Sequence, residues 1–270
     1  MNEPAQTKNP ADLFVRSSGT AGQWRLRAYE SPGLKSSQAS QDSSLVILRP
    51  DGVLRAAVID GVTPVRATPS FLGLDGARYA AGLIRTALTG TEPIESCLGR
   101  ANEALYSPEL TSRAQAQATV AAVDLDPAGD AHIVRSCDCE VWTESLEGEW
   151  TCLFPSAHRA WATAAWEKFL EEHPELRQDP AGRSEAEQEI WGRPEAWESL
   201  PIGREAAMVI ETRELAPRTW RRLLLTTDGL GSRVAGPDKI DALLASLEDG
   251  SVSRFHDDTT VILIAAEPIA

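Results

Sequence analysis

Long apolar runs, leader-type segments and compact metal or nucleotide motifs are all missing from this chain of 270 residues. No window approaches the roughly 18 uninterrupted apolar residues of a membrane-spanning helix, and the opening MNEPAQTKNPADLFVRSSGTAG holds no apolar stretch of signal-peptide length. The expectation is a soluble cytoplasmic protein. Cysteine is scarce: Cys97, Cys137, Cys139 and Cys152 are the only four, and their one close pair is C-x-C. That excludes a disulfide scaffold and the usual zinc and thioredoxin spacings, and it suits a reducing compartment. The four histidines form no H-E-x-x-H or other paired metal spacing, and there is no G-x-S-x-G, GxGxxG or P-loop. Basic residues are few as well. With 26 Lys and Arg against 40 Asp and Glu the formal charge is −14 and the pI about 4.8. Such a surface lacks the positive field that nucleic acid or anionic lipid demands, so neither is an expected partner.

What is present is apolar material, 42% of the residues, which is enough for a buried core and rules out wholesale disorder. Residues 1–22 are polar and rich in Gly, Ser, Pro and Asn, and read as a flexible tail ahead of a single domain over 23–270. Trp24–Tyr29, Ser43–Leu48 and Val53–Ile59 are short β-type runs, the last two joined by the turn Arg49-Pro50-Asp51-Gly52. Helical spacing follows from Ser70 to Leu88 and again through Ile94, Leu98, Ala101 and Leu105. Strand-like runs return at Ala118–Leu125, Ala131–Val134 and Cys139–Thr143. From about 156 to 200 tryptophan, Glu and Arg crowd together, which reads as a helical insertion. Met208–Glu211 and Arg221–Thr227 are again strand-like, Ile240 to Leu247 is helical, and Thr259–Ala266 is a buried strand. Strands and helices thus come in separate runs, so the expected class is α+β: an αββα sandwich of mainly antiparallel sheets.

Three acids share one local setting. Asp60 ends AAVID before Gly61, Asp228 ends LLLTTD before Gly229, and Asp257-Asp258 precede TTVILIAA. A carboxylate at a strand tip is held by rigid backbone, and a following glycine lets another group approach the main chain. Converging carboxylates repel unless protonated or bridged by cations, and an all-oxygen set favours hard ions such as magnesium or manganese. A strand ending in Asp-Gly is equally an ordinary turn. Arg49-Pro50-Asp51-Gly52 and Leu74-Asp75-Gly76 are read that way, and His132, within a strand run, is read as structural.

The ordered set Gln41-Asp42-Ser43, Ala57-Val58-Ile59-Asp60-Gly61, Leu224-Leu225-Thr226-Thr227-Asp228-Gly229 and Asp257-Asp258-Thr259-Thr260-Val261 resembles the metal-dependent serine/threonine phosphatases of type 2C (the PPM family), as a divergent bacterial-type member. Ser136-Cys137-Asp138-Cys139 stands where that family has Gly-Asp-Ser-Arg. The resemblance implies an αββα sandwich and two Mn2+ or Mg2+ ions. It implies that Asp60 bridges the metals, that the carbonyl of Gly61 binds one, and that Asp228 and Asp257 complete the set. Asp42 would orient metal-held water; Lys35 could take the phosphate contact that the family gives to an Arg if the loop carries two extra residues, and His256, next to Asp257, is the one histidine that could act near the metals as a general acid, with simple loop placement as the alternative reading. Two departures stand out: Gln41 replaces a Glu, and Ser37 occupies the Arg position. Lys binds phosphate as a point charge without the bidentate fork of Arg.

Three functions fit this reading. The first is hydrolysis of phosphoserine or phosphothreonine monoesters on a protein. The second is the same chemistry on a small phosphorylated metabolite. The third is a non-catalytic relative that binds a partner.

Overall fold

The computed structural model describes residues 15–21, 23–31, 33, 40–62, 75–110, 115–155, 157–177, 199–228, 237–252, 255 and 257–266. Alternating burial along the strands builds two sheets, and every strand pairing in them is antiparallel. One sheet has six strands: β1 (Val15–Ala21), β2 (Trp24–Ser31), β7 (Glu140–Glu144), β8 (Trp150–Cys152), β10 (Arg222–Thr226) and β11 (Thr259–Ala266), in the order β1-β2-β11-β10-β7-β8. The other has five: β3 (Ser43–Leu48), β4 (Leu54–Val62), β5 (Gln117–Leu125), β6 (Ala131–Ser136) and β9 (Glu211–Leu215), in the order β3-β4-β5-β6-β9.

The period of two decides the layers. Leu54, Ala56 and Val58 of β4 point between the sheets, where they meet Leu223 and Leu225 of β10 and Ile262 and Ile264 of β11. Ala57 and Ile59 point outward onto α1 (Gly76–Ala87) and α2 (Ile94–Leu105), packing with Ile84 and Leu98. On the opposite face Leu224, Val261 and Leu263 meet Leu243, Leu244 and Leu247 of a helix at Ile240–Asp249. With α3 (Ala157–Glu172) counted in chain order, that helix is α4. The result is the α+β sandwich of four layers expected from the sequence. Among the described residues no helix is long and apolar enough to cross a membrane.

Several boundaries differ from the sequence reading, each for a local reason. Residues 15–21 are not tail but β1, which pairs with β2 along its whole length from Val15↔Glu30 to Ala21↔Trp24. Its sequence VRSSGTA lacks an apolar alternation, so backbone pairing rather than side-chain burial places it. Leu74-Asp75-Gly76 is not a free turn, since Asp75 caps α1 by accepting a hydrogen bond from Arg78 N at 2.8 Å. Such a cap is worth about 1 kcal/mol. The strand read at 208–211 lies at Glu211–Leu215, an exposed and mostly polar edge without a core-facing stripe. The turn at Arg49–Gly52 stands as read, with Gly52 at φ 83° and its N–H on Arg49 O at 2.9 Å. His132 on β6 lies between Glu214 of β9 and Glu95 of α2, its Nε2 at 2.7 Å from Glu95 Oε1, and so ties three elements together.

Candidate metal centre

Antiparallel register gathers distant acids at one end of the sandwich. The pair Ser43↔Ile59 sets Asp42 beside Asp60, and Thr226↔Val261 sets Asp228 beside the start of β11. Glu140↔Thr226 brings in the start of β7, and Asp60 itself pairs with Thr119 on β5.

Hydrogen bonds then fix the parts. Thr227 Oγ1 donates to Asp42 Oδ2 at 2.8 Å and accepts from Thr260 N at 2.9 Å, which joins β3, β10 and β11. Asp258 accepts from Gly33 N at 2.7 Å and from Gln41 N at 2.6 Å, one oxygen to each. A carboxylate suits that position because both of its oxygens accept, whereas an amide offers one acceptor only. Gly61 is required sterically: a Cβ there would lie 2.8 Å from Ala77 O and 2.9 Å from Gln41 O.

Electrostatics shows what is left uncompensated. Asp42 is pushed up to about 8, first by burial and then by the charges of Asp258 and Asp228, against the opposing hydrogen bond from Thr227. Asp60 is raised well above the carboxylate range by burial and by Asp42, Asp228 and Asp138. Among the described residues no Arg or Lys pairs with Asp42 or Asp60, and Asp42 Oδ1 is buried without a hydrogen-bond partner. Burial, followed by the charge of Asp138, also pushes the Cys137 and Cys139 thiols up, so thiolate ligation is disfavoured and the donor set is oxygen.

This yields a pH prediction for metal-free protein. Asp42 and Asp60 hold protons more tightly folded than unfolded, so their contribution is fully present below about pH 4. It is lost as pH rises toward 8, at up to about 1.4 kcal/mol per pH unit for each carboxyl that keeps its proton. In EDTA the melting temperature should be higher at pH 5.5 than at pH 8, and Mn2+ should narrow or reverse the gap. Equal melting temperatures in EDTA at both pH values would contradict the clustering.

Of the residues singled out from sequence, Asp42, Asp60, Gly61 and Asp228 lie together. Asp257 sits exposed at the rim before β11, its Oδ1 accepting from Asp258 N at 3.0 Å. Lys35 and His256 lie outside the described residues, as does Ser37. Sequence reasoning missed the electrostatic role of Asp138 and the bridging role of Thr227. Asp138 does follow a strand run, the same signal that marked Asp60 and Asp228.

Hard divalent cations suit this donor set. The donors are oxygen-only, and Asp42 contributes a buried oxygen without a hydrogen-bond partner. Among the described residues no group of three His, Cys, Asp or Glu side chains is arranged as a ready metal cage.

The fold is similar to that of solved bacterial serine/threonine phosphatases. RsbX solved with magnesium matches over 93% of this chain and 99% of its own, with a TM-score of 0.58 and 15% identity. PppA, described as a key regulatory component of T6SS in Pseudomonas aeruginosa, matches over 93% and 100% with a TM-score of 0.59 and 15% identity. The serine/threonine phosphatase Stp1 from Staphylococcus aureus matches over 90% and 95%, with a TM-score of 0.57 and 14% identity. No protein-family profile and no curated protein sequence matches the chain. At these identities the likeness is one of fold.

Proposed function

We propose that this protein is a metal-dependent phosphoric monoester hydrolase, acting on phosphoserine or phosphothreonine in a protein. The observation that carries the proposal is the convergence of Asp42, Asp60 and Asp228 at one end of a phosphatase-type sandwich. Asp60, the Gly61 carbonyl, Asp228 and Asp257 would hold two such ions. Those ions would supply Lewis acidity toward phosphoryl oxygens and an activated water. Asp42, steadied at Oδ2 by Thr227, has Oδ1 without a hydrogen-bond partner and would orient that water. Lys35 contacts phosphate, and His256 protonates the leaving oxygen. A phosphoprotein substrate is supported by the company of solved relatives: PppA is described as regulatory, and another fold neighbour belongs to the bacterial stressosome.

Release of phosphate from a generic aryl phosphate, measured with Mn2+, with Mg2+ and with EDTA, is the test. Hydrolysis that appears with metal and vanishes with EDTA is expected. A flat result in all three, repeated on phosphoserine peptides, would overturn the reading and leave a partner-binding protein.

A further inference from the structure

The turn Cys137–Cys139 carries the chain from β6 in one sheet to β7 in the other, at the carboxylate end. It is fastened on both sides. Ser136 Oγ accepts from Val120 N at 3.0 Å, and Thr119 Oγ1 and Cys139 Sγ share a hydrogen bond of 3.2 Å. Thr119 is the cross-strand partner of Asp60, and from the middle of this turn the charge of Asp138 acts on Asp60.

The turn is also strained at one point. Cys137 has φ 60°, a left-handed conformation that a Cβ disfavours. Its N–H donates to Ser199 Oγ at 2.7 Å, a buried bond. The Ser199 hydroxyl has one proton, which it gives to Glu211 Oε2 at 3.2 Å, so its lone pairs face Cys137. Glu211 is held in turn by Arg135, through Nε at 3.0 Å and through Nη2. Arg135 Nη1 donates to Phe154 O at 3.0 Å, and its guanidinium lies 5.0 Å from the Phe154 ring centroid. Ser199, Arg135 and Phe154 are all at most 2% exposed. Phe154 precedes the Trp-rich insertion and Ser199 stands at its end, so both feet of the insertion rest on one ion pair, of which Arg135 is buried and Glu211 half-buried.

We infer that Ser199 is a positioning residue for the metal centre: oriented by Glu211 and Arg135, its hydroxyl locks Cys137 in the left-handed conformation and so holds Asp138 toward Asp60. The inference rests on the metal-centre reading given above. Alanine at 199 would remove the acceptor and leave a buried Cys137 N–H unpaired, which frees the turn to relax. Glycine at 137 would take the same φ without a Cβ, so it should restore the turn that Ser199 otherwise enforces.

The test uses the full chain as wild type, Ser199→Ala, Cys137→Gly and the double variant, titrated calorimetrically with Mn2+ at fixed pH and salt. Ser199→Ala should weaken Mn2+ binding roughly tenfold, as outer-shell substitutions do. The double variant should regain most of that loss, and Ser199→Thr, which keeps the hydroxyl, should bind as wild type does. A purely packing role predicts the reverse, with the double variant worse than either single one. Wild-type affinity in Ser199→Ala overturns the inference, and so does a double variant no better than Ser199→Ala. If Ser199→Ala does not fold, a Ser199→Thr variant that binds Mn2+ weakly overturns it equally. A wild type that takes up no Mn2+ overturns the metal centre itself, and this inference with it.

Discussion

Asp60→Asn is expected to abolish Mn2+ uptake while making the metal-free protein more stable. Asp60 lies near the end of β4 with its carboxyl raised by burial first and then by Asp42, Asp228 and Asp138. Without metal, an ionised Asp60 is a charge among like charges in a poorly solvated place. An amide of the same shape carries no such penalty. The gain should be about 1–2 kcal/mol at pH 8 and should shrink toward pH 5, where the wild-type carboxyl is already protonated. With Mn2+ the order inverts, because only the wild type gains the stabilisation that a ligand selective for the folded state gives. Phosphate release should fall by roughly a thousandfold or more, since the charge proposed to hold the metal is gone. Calorimetry for Mn2+ and melting curves in EDTA check both halves. Unchanged Mn2+ affinity in Asp60→Asn, or a metal-free variant less stable than wild type, would remove Asp60 from the site.

The second large effect is on stability alone. Arg55 on β4 is fully buried, and it binds Asp124 through Nε and Nη2, each at 2.6 Å. Its Nη1 donates to Leu88 O at 3.2 Å and Gly90 O at 3.0 Å, and Nη2 to Glu92 O at 2.8 Å. One guanidinium thus satisfies the connection between α1 and α2 and fixes it to the sheet. Arg55→Met fills much of the volume but leaves three carbonyls and one side of Asp124 unpaired. Arg49 Nη1 at 3.2 Å still reaches Asp124, which softens the loss. A cost of about 3–5 kcal/mol is expected, as when one partner of a buried pair is removed. For a chain of this size that is a fall in melting temperature of roughly 10 °C or more. Mn2+ affinity of the folded variant should hold, because Arg55 and Asp124 pair at the far end of β4 and β5 from Asp60 and Thr119. A shift under about 2 °C would mean that the network is replaceable by water.

Where side chains alternate or run apolar, sequence and structure agree closely. Ser43–Leu48 and Thr259–Ala266 are strands over the residues that their patterns mark, and α2 follows Ile94, Leu98, Ala101 and Leu105. Where ordering comes from backbone pairing at an edge, the pattern carries no signal, as in β1, β8 and β9. Asp60 and Asp228 were visible because each follows an apolar strand run and precedes glycine, and Asp257 because it precedes a strand, whereas Asp42 was visible only through the family resemblance. Thr227, Asp258 and Asp138 needed register: their roles depend on which strand ends become neighbours, and no local spacing encodes that. Arg55 was legible only as an oddity, one charge inside VLRAAVI. What offsets it lies on β5 and in the connection between α1 and α2.

Because Phe154 and Ser199 are moored to a single Arg135–Glu211 pair, the stretch between them behaves as a cassette. Closing a loop between fixed neighbouring ends costs only about 0.6 kcal/mol more for each doubling of its length. The sandwich can therefore exchange that stretch for another of different length and composition with little penalty, provided that residue 199 keeps its hydroxyl.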